Sequence, residues 1–264
     1  MSILDRFKLT DQVAIITGGG KGIGRGIAWA FAEAGADVAL AARTESDLAE
    51  TVAGVEARGR KAIAVKTDVT VTEDLERLVA ETLDAYGRID VLVNNAGGTG
   101  PRPALQTSER YFEAALRFNV TQAFILTKLV VPKMVESAGG GSIVNISSRS
   151  SDMVQTSFVA YGAGKAALNM MTRNMAPEIA PKVRINAIST GGVGTEALQV
   201  VLTNEALAEQ FNRNTPMKRP GTVEDIAGAA LYLASPASGW VTGKIFQIDG
   251  GTEAPAMSVP VEPL

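Results

Sequence analysis

Val13-Ala14-Ile15-Ile16-Thr17-Gly18-Gly19-Gly20-Lys21-Gly22-Ile23-Gly24 passes from an apolar run into a glycine cluster and then into a helical pattern. An apolar run without polar alternation suits a strand buried on both faces, as in a parallel sheet covered by helices. The glycines suit a turn that needs unusual backbone angles and lets a phosphate approach the main chain closely. Ile23, Ile27, Phe31 and Ala34 then fall on one face of the helix that follows. Its first turn offers free N–H groups and a partial positive charge to a pyrophosphate. Many glycine clusters are plain turns, but one placed between a first strand and a first helix predicts a dinucleotide site. The candidate contacts are Gly18, Gly20, Lys21, Gly22, Ile23 and Gly24. Their spacing is G-x-x-x-G-x-G, not G-x-G-x-x-G.

The same alternation of strand and helix runs down the chain. Further strand candidates are Val38–Ala41, Ile63–Lys66, Val91–Asn94, Ser142–Ile146, Val183–Ile188 and Lys244–Ile248, most of them continuous apolar runs. Between them lie helical patterns such as Leu75, Leu78, Val79 and Leu83 on one face. Such alternation implies right-handed crossovers. The predicted fold is α/β: a single-domain Rossmann-type doubly wound parallel sheet of about seven strands, with helices on both faces. The domain is expected to span residues 1–264, since no internal repeat or low-complexity linker divides it. Pro255, Pro260 and Pro263 predict that residues 253–264 form an extended C-terminal tail.

Composition narrows the chemistry. Of the 264 residues, 46% are hydrophobic and 20% charged, a globular balance, and a net charge of −3 offers no field for nucleic acid or an anionic membrane. There is no Cys and no His, which excludes disulfides, the usual zinc, haem and iron–sulfur ligand sets, and Ser-His-Asp or Cys-His catalysis. No metal is expected. Acid–base chemistry near neutral pH must therefore come from a shifted Tyr, Lys or carboxylate. Met1 to Thr10 lacks the apolar core of a signal segment, and the apolar runs read as too short to cross a bilayer, so a cytoplasmic location is expected.

Tyr161 and Lys165 stand four residues apart, so on a helix they share a face and can meet a common ligand. A nearby ammonium should stabilise phenolate and lower the phenol's pKa. Taken alone, the pair reads better as an ordinary amphipathic spacing. Together with G-x-x-x-G-x-G, with Asn94-Asn95-Ala96-Gly97 after the fourth strand and with Asp249-Gly250-Gly251 closing the last, it resembles the short-chain dehydrogenase/reductase family. The resemblance runs from about Leu9 to Thr252.

The resemblance implies that Tyr161 is the general acid/base and that Lys165 orients the nicotinamide ribose. It places a serine thirteen residues before the tyrosine, which selects Ser148 over Ser147 in Asn145-Ile146-Ser147-Ser148. The Ser148 hydroxyl would hydrogen-bond the substrate oxygen. Asn119 matches the family's fourth member, which holds a water that links the lysine to solvent. An amide inside an apolar helix also points to a specific partner. Asp68 and Val69 match the adenine contact, and Asn94, Ala96 and Gly97 would line the adenosine and ribose side. Each of the last three could instead simply stabilise a strand-to-helix turn.

The second strand ends Leu40-Ala41-Ala42-Arg43-Thr44, with Ala42 where NAD-using relatives carry Asp. Arg43 and nearby Lys21, with no carboxylate at that corner, favour NADP(H), with NAD(H) as the alternative. Arg43 could also be a solvated loop charge. After the sixth strand, Thr190 stands where the family has proline, followed by Gly191 and Gly192, so some preorganisation should be lost. Val193 and Thr195 align with carboxamide and pyrophosphate contacts.

Leu198, Val201, Leu202, Leu207 and Phe211 could cover an apolar ligand or form the core face of two helices. Gly98–Pro103, Arg173-Asn174-Met175-Ala176 and Thr195–Leu202 are similar to bacterial 7α-hydroxysteroid dehydrogenases. A small-molecule substrate of hydroxysteroid type is therefore expected. The alternatives are a 3-oxoacyl-thioester reductase of the acyl-carrier-protein type and a non-catalytic nucleotide-sensing protein. A carrier protein would need a basic patch, for which Lys182, Arg184, Arg213, Lys218 and Arg219 are candidates. By analogy with the family a homotetramer is expected, with Phe124, Leu129, Met170 and Met171 either covering an interface or facing the sheet.

Overall fold

The computed structural model describes residues 2–196, 198 and 203–256. The strands are β1 (Val13–Thr17), β2 (Asp37–Ala42), β3 (Ala62–Lys66), β4 (Val91–Asn94), β5 (Gly141–Ser148), β6 (Val183–Thr190) and β7 (Ile245–Ile248). The helices are α1 (Gly22–Glu33), α2 (Glu45–Glu56), α3 (Thr72–Tyr86), α4 (Glu109–Leu116), α5 (Gln122–Ala138), α6 (Val159–Ile179), α7 (Glu205–Asn214) and α8 (Val223–Ala234). All strand pairings are parallel, in the order β3-β2-β1-β4-β5-β6-β7. Every strand expected from the sequence is present, and the ends differ by at most a few residues.

Successive residues of one strand enter different halves of the core. Ala14, Ile16, Val38, Leu40 and Val144 pack with Ile27 and Phe31 of α1 and with Ile226 and Ala230 of α8. Ile15, Ala39, Leu92 and Ile143 pack with Leu75 and Leu78 of α3 and Leu126 and Val130 of α5. Both faces are thus covered, which is why these strands carry no polar alternation. Helix ends use local chemistry: Gly87 closes α3 at φ 71°, and Thr222 and Asp225 cap α8 reciprocally.

α4 and α5 run into one another through a π-turn at Arg117–Thr121. This corrects one expectation. The continuous helical stretch Glu109–Ala138 is long and apolar enough to cross a membrane by length and composition. Leu126, Val130 and Met134 of that stretch are fully buried in the core. Residues 253–256 continue past β7 without helix or strand, and the rest of the expected tail lies outside the described residues.

Candidate active site

A cleft of about 610 Å³ lies along the C-terminal ends of the strands, with walls drawn from the segments following β1 to β4 and from the ends of β5 and β6. The strand order reverses at β1 and β4, and a doubly wound sheet opens its crevice at such a point. Gly18 and Gly22 take positive φ, 63° and 55°, which a side chain would resist. Gly24 does not line the cleft; it lies so close to the Gly18 carbonyl that a Cβ would collide with it. Its role is close packing of α1 on the turn.

The Gly20 carbonyl is held from behind by Arg25, through Nε at 3.0 Å and Nη2 at 2.7 Å, and by Thr51 Oγ1 at 3.1 Å. Sequence reasoning missed Arg25, although it directly follows the motif. The glycine turn thus exposes backbone free of Cβ atoms beside the amino end of a twelve-residue helix, a cradle that fits a pyrophosphate.

At the β2 corner Arg43 is exposed and Ala42 half-buried, and both line the cleft. Lys21 Nζ reaches Glu196 Oε2 at 3.4 Å across the mouth. The expectation of a corner without carboxylates needs correction. Asp47, in the first turn of α2, also lines the cleft, because α2 packs its Cβ 2.9 Å from where a Gly20 Cβ would stand. Asp68 accepts from Thr70 N at 2.9 Å and Thr70 Oγ1 at 2.7 Å. Those bonds, from hydroxyl and then backbone, hold its carboxyl below the usual range, with a smaller contribution from Arg43.

Tyr161 and Lys165 project from α6 toward the cleft. The Tyr161 phenol hydrogen-bonds Ser148 at the end of β5. Ser148 Oγ also accepts from Ser150 N at 3.2 Å. Ser147 is buried, its hydroxyl 3.5 Å from the Lys165 carbonyl between strand and helix, and it too contributes to the cleft lining. Lys165 is 3% exposed and donates from Nζ to the Ile146 carbonyl at 2.8 Å.

Asn119 sits in the π-turn with no exposed surface. Its Oδ1 accepts from Gly98 N at 2.9 Å, and its Nδ2 donates to the carbonyl of Ala115 at 2.9 Å. A Cβ on Gly97 would lie 2.9 Å from Lys165 Nζ and 3.0 Å from Asn119 Oδ1, so the lysine and the amide converge there.

One expectation about charge is reversed in the protein by itself. Burial pushes the Tyr161 phenol above its ordinary value, and the Ser148 hydrogen bond only partly opposes this. Burial also pulls Lys165 down from 10.5 to about 8. The lysine thus loses part of the positive charge that was expected to favour phenolate.

A stability consequence follows. The unfolded chain keeps the lysine protonated up to its ordinary pKa, so burial destabilises the fold fully below about pH 8 and the penalty fades toward 10.5. That shift corresponds to about 3 kcal/mol, against about 1 kcal/mol for the hydrogen bond to Ile146. Lys165→Met is therefore expected to be more stable than wild type by about 2 kcal/mol at neutral pH, with the gain vanishing above pH 10. Urea denaturation at several pH values reads this directly.

Not every expected contact reaches the cleft. Asn94 is buried and turned into the sheet, donating to Asn145 Oδ1 at 2.8 Å, and Asn95 lines the cleft in its place, tied to the Thr17 carbonyl at 2.8 Å. Val193 lines a smaller neighbouring cavity, whereas Thr195 faces Gly22 in the main one. Thr190 does not loosen its segment as expected. It extends β6 opposite Ser148, is buried, and donates from Oγ1 to the Ser147 carbonyl at 3.2 Å, a tether in place of proline's rigidity.

Phe211 is buried over Gly192, and Leu198 packs beside it, while Val201 and Leu202 lie outside the described residues. The five basic candidates divide: Lys182, Arg213 and Lys218 are exposed, with Lys218 Nζ donating to the Arg213 carbonyl at 2.9 Å, whereas the other two are engaged. Arg184 is an internal strut to the carbonyls of Leu233 and Ser235, and Arg219 pairs with Asp225 at 2.7 Å. Phe124 and Met170 are exposed on α5 and α6, whereas Leu129 packs toward the core.

A crevice over a parallel sheet, floored by bare backbone and flanked by a tyrosine, a lysine and a serine, defines a dinucleotide-dependent oxidoreductase. A family model described as enoyl-(acyl carrier protein) reductase matches residues 18–253. The chain is 45% identical over 262 residues to an uncharacterized oxidoreductase of Mycobacterium tuberculosis, covering 99% of this chain and 100% of that one. It is 38% identical over 248 residues to the 7α-hydroxysteroid dehydrogenase of Escherichia coli, covering 94% and 96%. A solved 7α-hydroxysteroid dehydrogenase, complexed with NADH and 7-oxoglycochenodeoxycholic acid, superposes with a TM-score of 0.91 at 38% identity, covering 96% of this chain and 98% of that one. The protein belongs to the short-chain dehydrogenase/reductase family and is an enzyme acting on the CH–OH group.

Proposed function

We propose that this enzyme interconverts a ketone and a secondary alcohol on an apolar, hydroxysteroid-like small molecule, with NADP(H) as coenzyme and Tyr161 as general acid/base. The observation that carries the reading is the hydrogen bond between Tyr161 and Ser148 beside a buried Lys165, with the tyrosine and the lysine both lining the cleft. The bound coenzyme would supply or accept the hydride. The backbone of Gly18, Gly20, Gly22 and Ile23 would hold its pyrophosphate, Asp68 and Val69 its adenine, and Ala96 and Gly97 its ribose side. Arg43, aided by Lys21, would pair the 2′-phosphate.

Tyr161 Oη would give its proton to the carbonyl oxygen in reduction and take it back in oxidation. Ser148 would donate to the same oxygen as negative charge grows there. Lys165 would orient the ribose, and Asn119 would hold a water in line with the lysine. Thr195, which faces Gly22, would meet the pyrophosphate, and Val193, from the adjoining cavity, the carboxamide.

The acyl-thioester alternative loses two of its five basic candidates, since Arg184 is internal and Arg219 is paired with Asp225, and the non-catalytic one would not retain both Tyr161 and Lys165. Exposed Phe124 and Met170 support a homotetramer, and dependence on a nicotinamide pool argues for the cytoplasm. One domain over residues 1–264 completes the proposal. The test is oxidation of NADPH with 7-oxoglycochenodeoxycholate, small cyclic ketones and a 3-oxoacyl thioester. Turnover confined to the cyclic ketones supports the reading; turnover confined to the thioester overturns its substrate class.

A further inference from the structure

Arg149 directly follows Ser148, and its guanidinium is buried among carboxylates. The residue is 5% exposed. Nη1 donates to Asp152 Oδ2 at 2.6 Å and Nη2 to the Thr252 carbonyl at 3.1 Å. Nε stands 2.8 Å from Asp249 Oδ2, off the direction of a hydrogen bond. Glu253 Oε2 approaches Nη2 at 3.7 Å. Desolvating a cation and an anion offsets much of their attraction, so a buried pair is a poor stabiliser and a better device for fixing position.

The partners come from separate parts of the chain. Asp152 ends the turn after β5, Asp249 follows β7, and Thr252 lies beyond it. β5 and β7 are not neighbours, because β6 lies between them. Asp249 can close over the end of β6 because Gly191 has no side chain; a Cβ there would stand 2.7 Å from Asp249 Cα. On its other side the turn Arg149–Ser151 leans on α6. Asn169 Nδ2 donates to Ser151 Oγ at 2.8 Å, and the Ser150 carbonyl fills the place of a Gly162 side chain, 2.7 Å from the Cβ position. Gly162 is the residue after Tyr161. The turn is wedged between the helix that carries the tyrosine and the ion pair anchored at Asp249.

We propose that Arg149 is a positioning residue for the reaction: by locking the turn after β5 to the end of β7, it sets where the Ser148 hydroxyl stands against the Tyr161 phenol. This deepens the proposed function and rests on its pairing of Ser148 with Tyr161. Without the guanidinium, Asp152 and Asp249 repel across the gap and the turn opens, carrying the adjacent serine with it. A misplacement of about 1 Å in such a group can cost roughly a hundredfold in rate.

The test uses the full chain as wild type, Arg149→Met, Arg149→Lys and Ser148→Ala. In NADPH-driven reduction of 7-oxoglycochenodeoxycholate, Arg149→Met is expected to lower kcat by about tenfold or more while KM for NADPH stays within about twofold. Arg149→Lys, which keeps the charge, should recover part of the loss. A second readout needs no turnover: with ring-labelled tyrosine, the Tyr161 Cζ resonance, assigned by its loss in Tyr161→Phe, should move in Arg149→Met in the direction seen in Ser148→Ala. If Arg149→Met does not fold, Asp249→Asn removes one arm of the same network and is read in the same way.

An unmoved Tyr161 resonance overturns the proposal, whatever happens to kcat, because the serine has then kept its place. A wild type without turnover, or with turnover equal to that of Tyr161→Phe, counts against the proposed function instead, and the resonance still decides Arg149.

Discussion

Tyr161→Phe is expected to lower turnover about a thousandfold, or roughly 4 kcal/mol of transition-state stabilisation, while coenzyme affinity stays within about twofold. The phenol oxygen is the one atom removed, and the ring remains to fill its place on α6. Phe158 packs edge-on to that ring at 6.1 Å between centroids, a contact phenylalanine preserves. The candidate coenzyme cradle is built mainly from backbone at Gly18–Ile23 and Asn95–Gly97, which the substitution leaves unchanged. Ser148 would still donate to the substrate oxygen, which sets a floor on the residual rate.

The expected loss lies in kcat, because proton transfer is needed in the transition state and not for binding. Stopped-flow binding of NADPH and steady-state reduction of a cyclic ketone separate these outcomes. Comparable turnover in the mutant and wild type would remove Tyr161 from the mechanism.

The raised phenol bears on the direction of the reaction. On the proposed mechanism a neutral Tyr161 is the form that would give a proton to a carbonyl oxygen, and burial keeps the phenol in that form. Alcohol oxidation needs phenolate. The positive charge of an oxidised nicotinamide beside the phenol would lower its pKa and supply what Lys165, held by Ile146 and desolvated, does not supply fully by itself.

How much of this was legible in the sequence depends on the range of each interaction. The strands were readable because helices cover both faces of the sheet, so runs such as Ala14–Ile16 and Val91–Val93 had to be apolar without a break. The glycine turn was readable because its demands are local: positive φ at Gly18 and Gly22, and no Cβ at Gly24. What failed to show was orientation and partnership across the fold. Asn94 and Asn95 are consecutive at a strand end and point opposite ways, which a motif does not reveal. Asp47 reaches the coenzyme corner only because α2 lies against Gly20. Of the partners of Arg149, Asp152 is three residues away but Asp249 and Thr252 lie a hundred residues away, and nothing in the motif around Asp249 shows that an arginine after β5 meets it. The replacement of proline by Thr190 looked like a loss because its compensating bond, to the Ser147 carbonyl, belongs to another strand.

The corner after β2 sets the other large effect. Arg43→Asp is expected to reduce the ratio of kcat/KM for NADPH over that for NADH by about a hundredfold or more, corresponding to roughly 2.7 kcal/mol. Two contributions have the same sign. The substitution removes a guanidinium able to make charge-assisted hydrogen bonds to a phosphate, and it adds a carboxylate that repels the phosphate and can accept from a free 2′-hydroxyl.

Lys21 limits the residual preference, because its amine already faces Glu196 at 3.4 Å and must leave that partner to meet a phosphate. Both side chains are largely exposed, so the pair is weak and the exchange is cheap. Asp47 also lines this corner. It repels a phosphate in wild type and variant alike, so its effect cancels from the comparison. Steady-state kinetics with each coenzyme at low ionic strength, where phosphate pairing is strongest, read the ratio, and added salt should shrink the preference of the wild type. A wild type that prefers NADH would show that Asp47, and not Arg43, governs the corner.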